Sequence, residues 1–195
     1  MVTGVQTCAL PISRIAAGYP PGPLPSQIIT TMAYDVIVLG SGPGGYPAAI
    51  RASQLGFSVA IIEKESLGGV CLNWGCIPTK ALLKSAEVYE YMKHSNKYGI
   101  NASGVQQDFG AVIKRSRGVA DKMSKGVQFL MKKNKIDVVM GYGKIKTKGQ
   151  IEVTAADGTK KIVEGKYIII ATGGRTRELP NLKQDGKKVI GYQLQ

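Results

Sequence analysis

A glycine-rich loop between an apolar segment and a helix constrains the fold of this chain more than any other feature. Residues 34–39 are almost all apolar, which predicts a buried parallel strand. Gly40, Gly42 and Gly45 follow with the spacing G-x-G-x-x-G. Such glycines permit a tight turn, a close approach of a pyrophosphate to the backbone, and close packing of the next helix on the strand. The N-terminus of that helix attracts phosphate groups.

The residues after the loop complete a strand–helix–strand unit. Residues 48–55 predict a helix, and residues 59–62 predict a second buried strand. Glu63 closes this strand about twenty residues after the loop, where a carboxylate can bind the ribose hydroxyls of an adenosine. The alternative for an isolated G-x-G-x-x-G motif is an ordinary glycine-rich turn. Because strand, helix, second strand and acid are all present, the segment predicts dinucleotide binding in an α/β fold.

Two cysteines with four residues between them form the second motif. Cys71 and Cys76 could be half of a zinc site, a structural disulfide or a redox-active pair. Zinc usually needs four ligands, and the chain has one histidine, His94, and one further cysteine, Cys8. The segment after Cys76 predicts a helix start, where the helix dipole favours a thiolate. The pair is therefore interpreted as redox-active, and with the glycine loop it predicts a flavin and a disulfide in one site.

With these motifs the chain resembles the flavoprotein disulfide reductases, most closely the branch that oxidises dihydrolipoamide. The resemblance runs from about residue 33 to residue 192, and the family motif for the cysteines occurs as Cys-Leu-Asn-Trp-Gly-Cys-Ile-Pro-Thr-Lys over residues 71–80. It implies a Rossmann-like FAD-binding domain, with a parallel sheet, helices and a small antiparallel β meander. Another disulfide reductase or a mercuric reductase of the same superfamily, or an inert FAD-binding module, remains an alternative.

The resemblance also implies roles for individual residues. Cys71 would exchange with the substrate, and Cys76 would lie against the flavin as a thiolate. Lys80 would lie near the reactive edge of the flavin ring. Glu63 would bind the adenosine ribose, and Gly143 would pass close to the adenine. The remaining flavin-binding residues that it implies are Gly40, Gly42, Pro43, Gly44, Gly45, Lys64, Gly69, Val70, Cys71, Ala171, Thr172 and Gly173. No metal site is expected.

The length of 195 residues suits roughly one domain, whereas the resemblance implies a chain more than twice as long. Residues 32–195 are therefore expected to be the N-terminal part of an FAD-binding domain, incomplete and inactive by itself. The NAD-binding and dimerisation domains would be absent. The implied partners are NAD and dihydrolipoamide on the lipoyl carrier of a 2-oxo acid dehydrogenase complex or of the glycine cleavage system. A homodimer in the cytoplasm is expected, with no nucleic-acid or membrane partner.

Residues 1–31 differ in character from the rest of the chain. They contain five prolines and one charged residue, Arg14, and they show no periodicity. A signal peptide or a flexible linker is an alternative, but no basic segment precedes the apolar run and Pro11 interrupts it. Residues 2–12 resemble the translation of a DNA-sequencing adapter. We therefore expect residues 1–31 to be a non-native, disordered leader, and Met32 to be the natural start.

Periodicity predicts the remaining elements. Helices are expected over residues 77–94 and from Phe109 to about residue 130. Short strands are expected at residues 136–140, 142–146, 151–154 and 161–163, with a hairpin turn at Asp157-Gly158. Residues 167–171 predict a further buried parallel strand. No stretch approaches the roughly 20 apolar residues of a membrane-spanning helix.

The charge of +13 raises the possibility of nucleic-acid binding. Eight of the basic residues are concentrated in one segment, with Asp121 as the single acid: Lys114, Arg115, Arg117, Lys122, Lys125, Lys132, Lys133 and Lys135. No nucleic-acid-binding motif or set of stacking aromatic residues accompanies them. We therefore interpret this segment as the solvated face of a helix.

Overall fold

The structure is a computed structural model, and it describes residues 32–191. A six-stranded sheet in the order β3-β2-β1-β6-β5-β4 organises these residues. The strands are β1 (Met32–Leu39), β2 (Val59–Glu63), β3 (Asp137–Met140), β4 (Tyr142–Thr147), β5 (Gln150–Thr154) and β6 (Lys160–Ile170). The helices are α1 (Gly45–Gln54), α2 (Gly69–Asn73), α3 (Cys76–Lys93) and α4 (Phe109–Lys133), and a 3-10 turn spans Ser95–Tyr98. The expected leader over residues 1–31, with Cys8, lies outside the described residues.

The parallel half of the sheet confirms the predicted α/β class. Strand β1 pairs in parallel with both β2 and β6, and β2 pairs in parallel with β3. Val38 of β1 and Ile61 of β2 are buried on one face of the sheet, and Ile37 and Ile62 are buried on the other. Burial on both faces is the reason that these two strands are continuous apolar runs rather than alternating ones.

Helices cover one face of the sheet. Ala49 and Ala52 of α1, and Val127 and Met131 of α4, pack with the β-strand side chains in one buried cluster. Leu72 places the short helix α2 against the same cluster. The carboxyl ends of the parallel strands therefore carry the segments that lead into the helices. Within residues 32–191, none of these helices is long and apolar enough to cross a membrane.

Strands β4 and β5 form the predicted antiparallel meander with the first half of β6. The Asp157-Gly158 turn joins β5 to β6 as expected, and Gly158 takes the positive φ of 83° that such turns require. Ile151 and Val153 of β5 are fully buried beside Ile37 and Ile62. The meander thus fills the sheet face that the helices leave uncovered.

The structure corrects the prediction for β6. Two separate strands were expected, but a single strand of 11 residues runs from Lys160 to Ile170. Gly165 allows this continuity, because a Cβ at that position would lie 2.7 Å from Ile37 Cγ1. The second half of β6 pairs with β1 as expected, but it is not buried, since Tyr167 is 66% and Ile170 is 52% exposed. Strand β5 pairs with β6 only as far as Glu164, so the far edge of this half has no neighbouring strand among the described residues.

Candidate functional site

The glycine loop joins the carboxyl end of β1 to α1. The Gly40 N–H donates to the Ile62 carbonyl at 2.8 Å, and the Gly45 N–H donates to the Gly42 carbonyl at 2.8 Å. A Cβ on Gly40 would overlap the carbonyl group of Ala171, and a Cβ on Gly45 would overlap the carbonyl group of Gly40. These two glycines therefore let three pieces of backbone approach closely at one end of the sheet.

Gly42 and Gly44 have a different environment. A Cβ at either position would meet no other described atom within 4 Å, so open space lies in front of the loop backbone. Pro43 and Gly44 are exposed immediately before α1, and the first two N–H groups of this helix, of Gly45 and Tyr46, donate to the Gly42 carbonyl. This combination of open backbone and helix N-terminus is suited to an anion such as a pyrophosphate.

Pro47 is compatible with this helix start. It is the third residue of α1, which has 10 residues. Proline removes a backbone donor and clashes with the preceding turn when it lies deeper in a helix. In the first turn that donor has no intrahelical acceptor, so Pro47 costs α1 no hydrogen bond.

Glu63 lies at the carboxyl end of β2, directly beside the loop, and is 8% exposed. Its Oε2 accepts the Ser41 Oγ–H at 2.6 Å and the Ser41 N–H at 3.0 Å, while its Oε1 accepts the Glu65 N–H at 2.9 Å. A carboxylate offers about four acceptor positions. Three are occupied here, which leaves one position on Oε1 for a further donor.

The segment after β6 meets the glycine loop. The Ala171 N–H donates to the Leu39 carbonyl at 2.8 Å, and the Ala171 Cβ lies 3.4 Å from the position of a Cβ on Gly45. Thr172 and Gly173 follow and are exposed. The structure thus brings the predicted second flavin-contact segment next to the predicted first one.

Gly143 lies in β4 over the carboxyl ends of β1 and β2. A Cβ there would lie 2.5 Å from Leu39 Cδ1 and 3.2 Å from Ile62 Cγ2. Packing against these two side chains therefore requires a glycine at this position. The predicted contact with an adenine is a separate matter and stays a prediction.

Cys71 and Cys76 form a disulfide with a Cα–Cα distance of 4.7 Å. Cys71 lies within α2 and packs partly buried against the core. Cys76 is exposed and is the first residue of α3, as the predicted helix start required. Cys76 therefore lies at the N-terminus of this 18-residue helix, where the helix dipole favours negative charge.

Two backbone contacts connect the disulfide segment to the glycine loop. A Cβ on Gly69 would lie 2.7 Å from the Gly42 Cα, and Gly69 itself has a φ of 59°. The Gly68 N–H lies 3.1 Å from the Ser41 carbonyl oxygen and 3.2 Å from the Ser41 Oγ. The two sequence motifs therefore form one continuous site.

Three further predicted residues lie on the surface of this site. Val70 is exposed between Gly69 and Cys71, and Lys64 is exposed next to Glu63. Lys80 is exposed four residues after Cys76 on α3, a spacing that places both on one side of the helix. All three side chains are exposed, and their contact with a flavin stays a prediction.

His94 lies at the opposite end of α3. It follows the last helical residue, about 27 Å along the axis from Cys76 for a helix of this length. Its Nδ1 lies 3.4 Å from Glu90 Oε2, and both side chains are more than half exposed. His94 is therefore a surface residue, and it is too distant to exchange protons with the cysteines.

The structure adds residues that the sequence reasoning did not identify. Ser41 holds the Glu63 carboxylate by two hydrogen bonds. The sequence feature that could have indicated this role is the presence of a small polar residue inside the glycine loop. Asn73 Nδ2 donates to the carbonyls of Leu67 and Gly69 at 3.0 and 2.9 Å. Arg117, which was assigned to a solvated helix face, donates from Nη1 to the Asn73 carbonyl at 2.9 Å. No local pattern indicates this bond, because 44 residues separate its partners.

A glycine loop of the dinucleotide-binding type and a disulfide thus share one edge of a parallel sheet. The sequence model of the pyridine nucleotide-disulphide oxidoreductase family matches residues 34–193. The chain belongs to this family, which confirms the resemblance drawn from the motifs.

Curated relatives narrow the comparison. The chain is 51% identical to the dihydrolipoyl dehydrogenase of Zymomonas mobilis over 159 residues, which cover 82% of this chain and 34% of the relative. It is 49% identical to the dihydrolipoyl dehydrogenase of Bacillus subtilis, with coverages of 80% and 35%. The leghemoglobin reductase of Vigna unguiculata is 46% identical, with coverages of 80% and 30%. The chain spans about a third of the length of these relatives.

Proposed function

We propose that this chain is the flavin-binding and disulfide-bearing part of a dihydrolipoyl dehydrogenase. The observation that carries the proposal is the Cys71–Cys76 disulfide at the start of α3, in a segment whose Gly68 and Gly69 backbone contacts the glycine loop. The identity to relatives of that name supports the choice of substrate. The proposal covers residues 32–195 as the N-terminal part of the FAD-binding domain, with NAD-binding and dimerisation domains elsewhere in the complete enzyme.

The residues around the loop fit FAD. Gly42 and Gly44 offer open backbone at the N-terminus of α1, which suits the pyrophosphate. Glu63 has one acceptor position left for a ribose hydroxyl. Lys80 and the Thr172–Gly173 segment would border the flavin ring, and Gly143 the adenine. When bound, FAD supplies an acceptor for two electrons beside the dithiol.

The remaining flavin contacts follow from the same placement. Gly40, Gly45 and Ala171 form the close-packed base of the site. We propose that Pro43, Lys64, Gly69, Val70 and Cys71 contribute the backbone and side-chain surface around it.

The chemical step that this chain can perform is thiol–disulfide exchange. A thiolate of dihydrolipoamide attacks the Cys71 sulfur, forming a mixed disulfide and releasing Cys76 as a thiolate. The N-terminus of α3 favours Cys76 as the leaving group, because it stabilises negative charge on that sulfur. The second substrate thiol then displaces Cys71. Lipoamide gains the disulfide bond, and the two cysteines gain the two electrons and two protons that it loses.

The complete enzyme would then pass these electrons to NAD⁺. Its expected substrate is dihydrolipoamide on the lipoyl carrier of a 2-oxo acid dehydrogenase complex or of the glycine cleavage system. We further propose a homodimer in the cytoplasm, where a reducing environment keeps disulfides catalytic rather than structural.

Reduction of the oxidised chain by dihydrolipoamide tests this proposal. Samples are quenched by thiol alkylation, and the peptides that contain Cys71 and Cys76 are quantified by mass spectrometry. We expect dihydrolipoamide to reduce both cysteines. In the Cys76→Ser variant, the Cys71 thiolate should attack the disulfide of oxidised lipoamide and remain in a mixed disulfide, releasing the other lipoamide sulfur as a thiol. If dithiothreitol reduces the pair and dihydrolipoamide does not, the chain has another substrate in this family.

A separate titration tests the flavin site. We expect the chain to bind FAD with quenching of flavin fluorescence, and Glu63→Ala to weaken the binding. Equal affinity in the variant would exclude the ribose role of Glu63. The Glu65→Ala change serves as a control for loss of a neighbouring exposed carboxylate, because Glu65 contacts Glu63 only through its backbone N–H.

A further inference from the structure

Helix α4 holds the short helix α2 at both of its ends. Ser124 Oγ donates to the Leu67 carbonyl at 3.0 Å, just before α2, and Arg117 Nη1 donates to the Asn73 carbonyl at 2.9 Å, at its last residue. Arg117 and Ser124 are seven residues apart, which places them on one face of α4, about 10 Å apart along its axis. The two donors therefore span α2 from end to end.

Helix α2 depends on such contacts because it is too short to be stable alone. It has five residues, and the last four carbonyls of any helix lack partners within it. The Asn73 carbonyl is one of these four, and it lies in the chain between Cys71 and Cys76. Arg117 supplies the missing donor, and a charged donor makes a stronger bond than a neutral one.

We propose that Arg117 is a positioning residue of the Cys71–Cys76 disulfide. It fixes the backbone between the two cysteines, and so sets the equilibrium between disulfide and dithiol. This inference rests on the redox role of the pair in the proposed function and adds the residue that tunes it. Without Arg117 the segment between the cysteines samples more conformations, the two sulfurs meet less often, and the disulfide becomes easier to reduce.

The chain offers a matched control two residues away. Arg115 Nη1 donates to the Ala81 carbonyl at 2.8 Å and lies 3.4 Å from Ser85 Oγ. This contact joins α4 to α3 beyond Cys76, so it lies outside the segment between the cysteines. Arg115 and Arg117 therefore share the same charge, the same helix and the same type of bond, but only Arg117 contacts the disulfide segment.

The test measures the redox equilibrium of the chain in mixtures of reduced and oxidised dithiothreitol. Each disulfide formed in the protein transfers two electrons and two protons to one oxidised dithiothreitol, and alkylation with mass spectrometry gives the fraction oxidised. We expect Arg117→Met to lower the equilibrium constant for disulfide formation about tenfold, as loss of one charged hydrogen bond allows. That change raises the reduction potential by about 30 mV.

Three other variants test whether the contact of Arg117 with the disulfide segment causes the change in the equilibrium constant. We expect Arg117→Lys, which keeps the charge and a donor, to recover most of the wild-type value. Ser124→Ala removes the second, neutral contact and should lower the constant about threefold. Arg115→Met should leave it within about twofold of wild type, since its bond lies outside the segment. Ser124→Ala also keeps the test decisive if Arg117→Met does not fold.

Three results would overturn the inference. The equilibrium constant for disulfide formation could be unchanged in both Arg117→Met and Ser124→Ala, or it could rise in Arg117→Met. It could also fall as far in Arg115→Met as in Arg117→Met. A rise would mean that the Arg117 charge acts by stabilising the thiolates. A wild-type pair that never exchanges with dithiothreitol would instead contradict the proposed function itself.

Discussion

The hydrogen bonds between Ser41 and Glu63 provide the sharpest test of how the glycine loop is held. Ser41 is fully buried and Glu63 is 8% exposed. Replacing Ser41 by alanine removes the 2.6 Å hydroxyl bond to Glu63 Oε2 and keeps the 3.0 Å bond from the Ser41 N–H. The carboxylate then remains buried with one donor fewer, which is the costly way to lose a hydrogen bond.

The expected loss follows from the kind of bond removed. Hydrogen bonds to charged groups contribute about 1.5–3 kcal/mol, so Ser41→Ala should lower the free energy of unfolding by about 2 kcal/mol. The Gly68 N–H also loses a contact with Ser41 Oγ, but the Ser41 carbonyl remains 3.1 Å away to accept it. Urea denaturation measures the change, provided that the denaturant slope is the same in both proteins.

An exposed bond of the same type serves as the control. Ser58 Oγ donates to Asp35 Oδ2 at 2.8 Å near the surface, again between a serine and a carboxylate about twenty residues apart. Ser58→Ala should therefore be clearly less destabilising than Ser41→Ala, because water replaces the lost donor. Equal losses in the two variants would show that burial of Glu63 does not determine the strength of its bonds.

Four further substitutions have expected outcomes. Gly45→Ala should lower the melting temperature strongly, because the added Cβ overlaps a backbone carbonyl. Gly42→Ala should leave the melting temperature unchanged and weaken FAD binding, because its Cβ enters open space. Equal melting temperatures of the two variants would contradict the different roles of these glycines. The hydrogen bond from Lys166 holds the pKa of Asp35 well below its usual range. The ionised Asp35 carboxylate therefore stabilises the fold at pH values above its ordinary pKa of 3.8, and this stabilisation is lost as the pH falls below 3.8. Asp35→Asn should therefore lower the melting temperature at neutral pH, and a difference from wild type that persists undiminished in acid would refute the reasoning. Burial raises the pKa of Tyr34 to about 12 from its ordinary 10.0, so stability should fall with pH between these values, and Tyr34→Phe should remove that part of the fall in alkaline denaturation curves.

The elements that the sequence predicted well are those whose signals are local. The apolar runs of β1 and β2, the glycine loop and the Asp157-Gly158 turn each depend on residues within a few positions of one another. The same holds for the start of α3 at Cys76. A continuous apolar run identifies a strand buried on both faces without any knowledge of what covers it.

The features that were missed depend on contacts between distant segments. Helix α2 is too short for a periodic pattern, and its ends are fixed by α4 more than forty residues later. Strand β6 was predicted as two strands, at residues 161–163 and 167–171, whereas Gly165 between them lets the strand continue close to the side chain of Ile37. Arg117 looked like a solvated charge because sequence gives no information on which carbonyl a helix face will meet.

The glycines of the site separate into two functional kinds on geometric grounds. Gly40 and Gly45 are required by neighbouring backbone, whereas Gly42 and Gly44 border open space. Gly69, like Gly40 and Gly45, is required by a close backbone neighbour, and that neighbour is Gly42. Gly69 therefore joins the disulfide segment to the open part of the loop. A side chain at Gly69 would displace both the loop backbone and α2, because its positive φ and its contact with Gly42 leave no room. The segment that leads into the disulfide and the nucleotide loop therefore pack directly on each other at this point, and only a glycine at position 69 allows that approach.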